Sequence, residues 1–235
     1  MQITWFWMKK KVTPRGVRRV PVSSRSLTGE VDGTEFESSL ERDLMMLMTR
    51  EPNFDWFQSQ PVEIEYEFPP GKIRHYTPDL LLNFSPDSNE KVRKPELCEV
   101  KYKEDLEENW SEYRHKFKAA TTYCRERGWK FRIYNEKRIR GDKLTNIQFL
   151  WMYRDTSYDI LLGEKILQQL QADGEPVSMM PFLTRYFEDQ LGTAIWAWWC
   201  LVSQEMIMFD WDLALIPVNM KEHSFWLPEW RKNWF

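Results

Sequence analysis

Four side chains have the types and the order that phosphodiester chemistry needs: Glu41, Asp79, Glu99 and Lys101. Asp79 stands in Thr77-Pro78-Asp79, just ahead of the apolar run Leu80-Leu81-Leu82. Proline lacks an amide hydrogen and forces extended backbone before it. A carboxylate is therefore expected at the mouth of a strand, pointing out of the sheet. Glu99 and Lys101 are two apart on a strand expected over 96–102, and the period of 2 puts both on one face. If this strand pairs as a hairpin with the one before it, Asp79 approaches both. Two carboxylates and a lysine at a strand edge suit metal-assisted hydrolysis. Mg²⁺ prefers oxygen ligands and keeps several waters; it lowers the pKa of a bound water and neutralises phosphate charge. Asp79 and Glu99 are the expected ligands, and Lys101 would orient the water or stabilise the charged transition state.

A third carboxylate is expected from the first helix. Glu37 and Glu41 lie four apart on one helical face. Glu41 continues onto Leu44, Met45 and Met48, so it borders the buried stripe and needs a partner, which a metal would be. Glu41 is the expected third ligand, with Glu37 as the alternative. Each feature also has an ordinary explanation: a chance Glu-x-Lys, a Pro-Asp turn, a surface carboxylate. Their order, with suitable elements between them, is what gives them weight.

The elements that must position these groups are legible in outline. Thr34-Glu35-Phe36-Glu37 fits a capping box opening a helix that ends near Arg50, with Phe36, Leu40, Leu44, Leu47 and Met48 as its apolar stripe. Residues 56–68 alternate as one half-buried strand. Residues 73–84 read as a second strand, apolar on both faces at its end, and 96–102 as a third. Residues 104–127 read as one polar helix closed by Gly128, with a fourth strand over 129–134. This order predicts an α/β fold around a mixed sheet. After about residue 145 the composition changes: eight of the 13 Trp lie in 151–235. Helices are expected over 157–171, 178–189 and 191–205, then short strands over 206–211 and 213–218. Three helices and a hairpin outline a winged helix.

At this point the sequence resembles a family. Pro78-Asp79 followed by Glu99-Val100-Lys101 fits the PD-(D/E)xK pattern of restriction-endonuclease-like nucleases. The longer series is more specific: Phe36 to Asp43, Gln60-Pro61, Tyr76-Thr77-Pro78-Asp79 and Glu99-Val100-Lys101 together resemble TnsA, the endonuclease subunit of heteromeric, Tn-seven-like transposases, including CRISPR-associated ones. The resemblance covers about residues 30–150. It implies a restriction-endonuclease-like core that cuts the 5′, non-transferred strand at transposon ends with Mg²⁺ or Mn²⁺. It implies three partners: double-stranded transposon-end DNA, a TnsB-like DDE transposase, and a TnsC-like AAA+ ATPase bound through the C-terminal region. By position it assigns the helix carboxylate to Glu41, the metal aspartate to Asp79 and the lysine to Lys101. The family can carry Gln two before the lysine, where this chain has Glu99.

The charge balance divides along the chain. The formal net charge of -3 argues against a DNA binder taken whole, yet residues 1–30 carry seven basic residues against Glu30 alone. Residues 114–143 carry eleven basic residues against Glu126, Glu136 and Asp142. Arg125, Arg127, Lys130, Arg132, Lys137, Arg138 and Arg140 are expected to contact DNA phosphates; a merely solvated helix face is the alternative. The basic run within 9–25 could do the same or bind a protein. Residues 151–235 hold twelve acidic and six basic residues, which makes DNA reading doubtful there. Trp226, Trp230 and Trp234 are expected partner-binding anchors, and Phe225 is counted with them as hard to bury.

Three wide-spaced cysteines and three histidines exclude a disulfide framework and a Cys or His metal site. The most apolar stretch, 194–202, is too short to span a bilayer, so a soluble bacterial cytoplasmic protein is expected. The expected organisation is a basic arm at 1–33, a nuclease domain at 34–145 and a partner-binding domain at 146–235. The rival functions are a non-catalytic adaptor bridging DNA and an ATPase, and a stand-alone restriction or repair nuclease.

Overall fold

In the computed structural model, which describes residues 28–174, 176–217 and 220–231, the first element is a hairpin. Strands β1 (Gly29–Val31) and β2 (Thr34–Phe36) pair across Asp32 and Gly33, both at positive φ (49° and 78°). That is the backbone a two-residue hairpin turn demands. Thr34 thus belongs to a strand and does not cap a helix. Helix α1 (Ser39–Met48) starts five residues later, and Ser38 is its cap: the Ser38 hydroxyl accepts from the Glu41 amide at 3.2 Å. Of the expected stripe Leu40, Leu44 and Met48 are 3% exposed or less, but Leu47 is only half-buried, Met45 is buried in its place, and Phe36 is buried from β2. The basic run within 9–25 lies outside the described residues.

Prolines divide both long strands that the alternation predicts. Residues 56–68 become β3 (Phe54–Ser59) and β4 (Ile64–Glu67), separated at Gln60-Pro61 with Gln60 at φ 46°. Residues 73–84 become β5 (Ile73–Tyr76) and β6 (Leu80–Phe84), separated at Thr77-Pro78. The two breaks lie side by side, because the Gln60 amide donates to the Asp79 carbonyl at 2.8 Å. Past this corner β4 and β5 form their own antiparallel pair.

The main sheet runs β3-β6-β7-β8, with β7 at Glu96–Val100 and β8 at Lys130–Tyr134. The first two pairings are antiparallel and β7–β8 is parallel, so the sheet is mixed as expected. The polar helix breaks at Asn109 into α2 (Lys103–Glu108) and α3 (Trp110–Glu126). The Asn109 side-chain amide donates to the Asp105 carboxylate at 2.7 Å, a local bond that competes with helix continuation. Helix α3 buries Phe117, Ala120 and Cys124 against Ile64, Tyr76, Leu81 and Leu97. Gly128 closes the helix at φ 71°. A short helix, α4 (Glu136–Ile139), follows β8.

The chain divides into two units between Arg140 and Gly141. The second unit holds α5 (Asp142–Leu150), α6 (Ile160–Asp173), α7 (Met179–Phe187) and α8 (Leu191–Ser203). Leu150, Ile166, Leu170, Phe182, Leu183, Trp198 and Phe225 form its core. The three helices expected after residue 156 are present; the hairpin is not. Among the described residues of 206–218 there is no strand, only an isolated bridge from Met208 to Trp226. The winged-helix outline thus lacks its wing. The loop is held instead by Asn146, fully buried, whose amide donates to the Trp211 and Leu213 carbonyls at 3.0 Å and whose oxygen accepts from the Leu215 amide at 2.6 Å. Phe225, expected to be hard to bury, is completely covered and packs edge-on to Trp198.

Candidate nuclease site

Asp79 sits at the proline corner, one step before the Leu80–Cys98 pair of β6 and β7. Its amide donates to the Cys98 carbonyl at 3.0 Å, and its Oδ2 accepts from the Val100 amide at 2.6 Å. These bonds pin the carboxylate across the end of β7, beside Glu99. Burial holds the Asp79 carboxyl well above the usual range, the Glu99 charge adds to this, and Lys101 opposes it. The Glu41 charge acts in the same direction as Glu99. The structure therefore gathers the expected group: three carboxylates and a lysine at one end of the sheet.

Each member is held differently. Glu99 is 1% exposed, in a strand whose five residues are all buried. Tyr76 donates to its Oε2 at 2.5 Å, and the Lys116 ammonium lies 2.9 Å from its Oε1. Lys101 lies farther from the same oxygen, at 3.8 Å, and stays 31% exposed. Its backbone amide donates to the Tyr134 carbonyl, the last bond of the β7–β8 ladder, so Lys101 stands just past the end of β7. Burial lowers the Lys101 pKa, but Asp79 and Glu99 outweigh it and the net shift is upward. Lys101 is thus held as a cation beside Glu99 while remaining partly exposed.

Glu41 is buried at the N-terminus of α1. The Ser38 hydroxyl donates to its Oε1 at 2.8 Å and the Glu37 amide to its Oε2 at 3.0 Å. Burial raises its pKa against these bonds. Glu37 takes the amide of Gln60. The Glu41 charge is among those that act on Asp79.

Among the described residues no three His, Cys, Asp or Glu side chains are arranged to hold a metal ion, so Glu41, Asp79 and Glu99 do not form a ready three-carboxylate cage. The donor set still fits Mg²⁺, which binds through one or two carboxylates with waters and substrate phosphate making up the rest. Asp79 and Glu99, both buried and electrostatically coupled, would supply those two.

The expected DNA-contacting residues separate into two groups. Lys101 meets Tyr134 at one end of β8, while Lys130 pairs with Glu96 at the other, about 13 Å away at the rise of a strand. Lys137 and Arg138 follow the catalytic end. Arg125, Lys130 and Arg132, with Lys94, line a groove around Trp129 at the far end. Arg127 lies over the Tyr123 ring at 3.5 Å. Arg140 is engaged: its Nε donates to the buried Asp43 at 2.9 Å, with Ser39 and Tyr102 oxygens at 3.4 Å. It ties α4 to α1 and is a weaker candidate for phosphate. Trp226 is half-buried and Trp230 is 53% exposed; Trp234 lies outside the described residues.

Tyr76 and Lys116 are site residues that the sequence did not single out for a role. Tyr76 carries a faint signal, three residues before Asp79. Lys116 carries none, since it is one cation among many on a polar helix.

Residues 51–136 match the family model of the TnsA-like endonuclease N-terminal domain. The match spans Asp79, Glu99, Lys101, Tyr76 and Lys116, and begins after Glu41. No curated protein matches the chain. Residues 51–136 thus carry a TnsA-like endonuclease N-terminal domain, in line with the sequence resemblance. No helix among the described residues is long and apolar enough to cross a membrane.

Proposed function

We propose that the protein is the metal-dependent endonuclease subunit of a heteromeric transposase, cutting the 5′, non-transferred strand at transposon ends. The observation that carries this reading is the placement of Asp79, Glu99 and Lys101 at one sheet end, inside the segment that matches a TnsA-like endonuclease domain. Asp79 and Glu99 would hold Mg²⁺ or Mn²⁺, and the ion would supply an activated water and charge neutralisation. Glu41 shapes the field of the site from the helix end. Lys101, protonated and half open, would hold the attacking water or the developing charge on the phosphate. Arg125, Arg127, Lys130, Arg132, Lys137 and Arg138 would track the duplex backbone. The same reading gives a TnsB-like DDE transposase as the partner that cuts and joins the 3′ ends. It gives a TnsC-like AAA+ ATPase as a partner of the C-terminal unit, with Trp226, Trp230 and Trp234 as anchors. The bacterial cytoplasm is the compartment that goes with it.

The test is cleavage of a transposon-end substrate with and without the cognate DDE transposase. Wild type should nick the 5′ strand only with its partner and a divalent ion, and folded Lys101→Ala should lose at least about a hundredfold in rate. Wild-type rates for folded Lys101→Ala would remove this assignment. Efficient cutting without the partner would favour a stand-alone nuclease.

A further inference from the structure

Glu99 has two lysines on one oxygen. The Lys116 ammonium, on α3, is 2.9 Å from Oε1, and that of Lys101 is 3.8 Å from it. The two differ in setting. The Lys116 side chain is 17% exposed, against 31% for Lys101. Its ammonium lies 4.8 Å from the ring centroid of Tyr76, 4.4 Å from that of Tyr113 and 5.2 Å from that of Phe117. Three ring faces attract and confine the cation. The Tyr76 hydroxyl closes the opposite side of Glu99 at Oε2. One side chain is thus gripped at both oxygens by donors from β5 and α3, well inside the protein.

A buried carboxylate needs a countercharge, and here it is built in.

We propose that Lys116 is a positioning residue that fixes the Glu99 carboxylate from α3 through Oε1 and so sets how the site holds a metal ion. This rests on the nuclease reading above. Lys116 touches neither substrate nor metal; it acts through Glu99.

The test is a Mn²⁺ titration of the full chain by calorimetry, paired with the transposon-end cleavage assay. Wild type should bind Mn²⁺ in a manner lost in Asp79→Asn. Lys116→Gln, which keeps length and removes charge, should bind Mn²⁺ about tenfold more tightly because the site is more negative. It should cleave at least about tenfold more slowly because Glu99 is no longer held. Lys116→Arg should restore both toward wild type. Tighter metal with slower cutting is a combination that general loosening of the fold does not produce. Unchanged or weaker Mn²⁺ binding by folded Lys116→Gln would overturn the proposal. So would failure of Lys116→Arg to restore either value toward wild type. If wild type with its partners fails to cut with any divalent ion, the nuclease reading fails; if wild type cuts and Lys116→Gln behaves like it, only the role of Lys116 fails.

Discussion

Asp79 is asked to be ionised in a place that disfavours ionisation. Burial, then Glu99, raises its pKa, and Lys101 only partly offsets them. The sign for stability follows directly. A carboxyl whose folded pKa is raised favours the native state in its neutral form, and that contribution is lost as pH rises through the folded value. At neutral pH the metal-free site therefore costs the fold stability, which a bound cation would return. Asp79→Asn removes the charge while its side-chain oxygen can still accept from the Val100 amide. It should abolish cleavage by at least about a hundredfold and yet raise the melting temperature of the metal-free protein at about pH 7 by roughly 2–4 °C. The gain should shrink toward about pH 4, where an acid with a raised pKa is already neutral. Thermal melts of both proteins at the two pH values check this; a lower melting temperature for Asp79→Asn at neutral pH would show that ionised Asp79 is not a burden. Glu99 contrasts with Asp79, since Tyr76 and Lys116 supply its compensation.

At the scale of elements, α1 brings its carboxylate to the site through its cap. Ser38 accepts from the Glu41 amide and donates to the Glu41 carboxylate, so one hydroxyl starts the helix and aims its acid. Ser38→Ala should cost about 1 kcal/mol in chemical denaturation and slow cleavage, while Ser38→Thr keeps both functions. Asn146 does comparable work in the second unit. Asn146→Ala leaves two carbonyls and one amide without that partner, and should destabilise the unit by about 3 kcal/mol, with amide exchange rising first at Leu215. The sequence made Asp79, Glu99 and Lys101 legible because a proline break and a two-residue spacing act locally. It placed the mixed sheet correctly from element order. It missed the start of α1 because Thr34 and Ser38 both precede a glutamate by three, and only the hairpin turn at Asp32-Gly33 decides between them. It joined β3 to β4 and β5 to β6 because alternation continues through Gln60-Pro61 and Thr77-Pro78, although the backbone turns there. The grip on Glu99 was not legible, since its partners come from 23 residues earlier and 17 residues later. The missing wing has the same kind of cause: Met206 to Leu215 looks strand-like, but its backbone groups are answered by Asn146, Trp226 and local turns.

For the whole molecule, a formal net charge of -3 conceals two opposite surfaces. Within the first unit, three of the acids are committed at the catalytic end and Asp43 to Arg42 and Arg140, so these do not cancel the cations of 114–143 as a sum suggests. The cations themselves serve two places. Arg125 and Lys130 stand at the end of β8 away from Lys101; Lys137 and Arg138 stand at the near end. A cation that neutralises a phosphate releases a counterion, and each phosphate left without its cation lowers the slope of log K against log salt by about 0.9. Arg125→Ala with Lys130→Ala should lower that slope by about 1.8 and weaken binding to duplexes of any sequence. Lys137→Ala with Arg138→Ala should lower the slope similarly, and should reduce cleavage at saturating DNA more than the first pair does, because on the proposed reading those cations would flank the scissile position. Affinities over a salt series, with single-turnover rates at saturation, separate the two. Unchanged slopes in both double variants would mean that the duplex lies on another face, and that the surplus charge of 114–143 is a solvated helix and strand end.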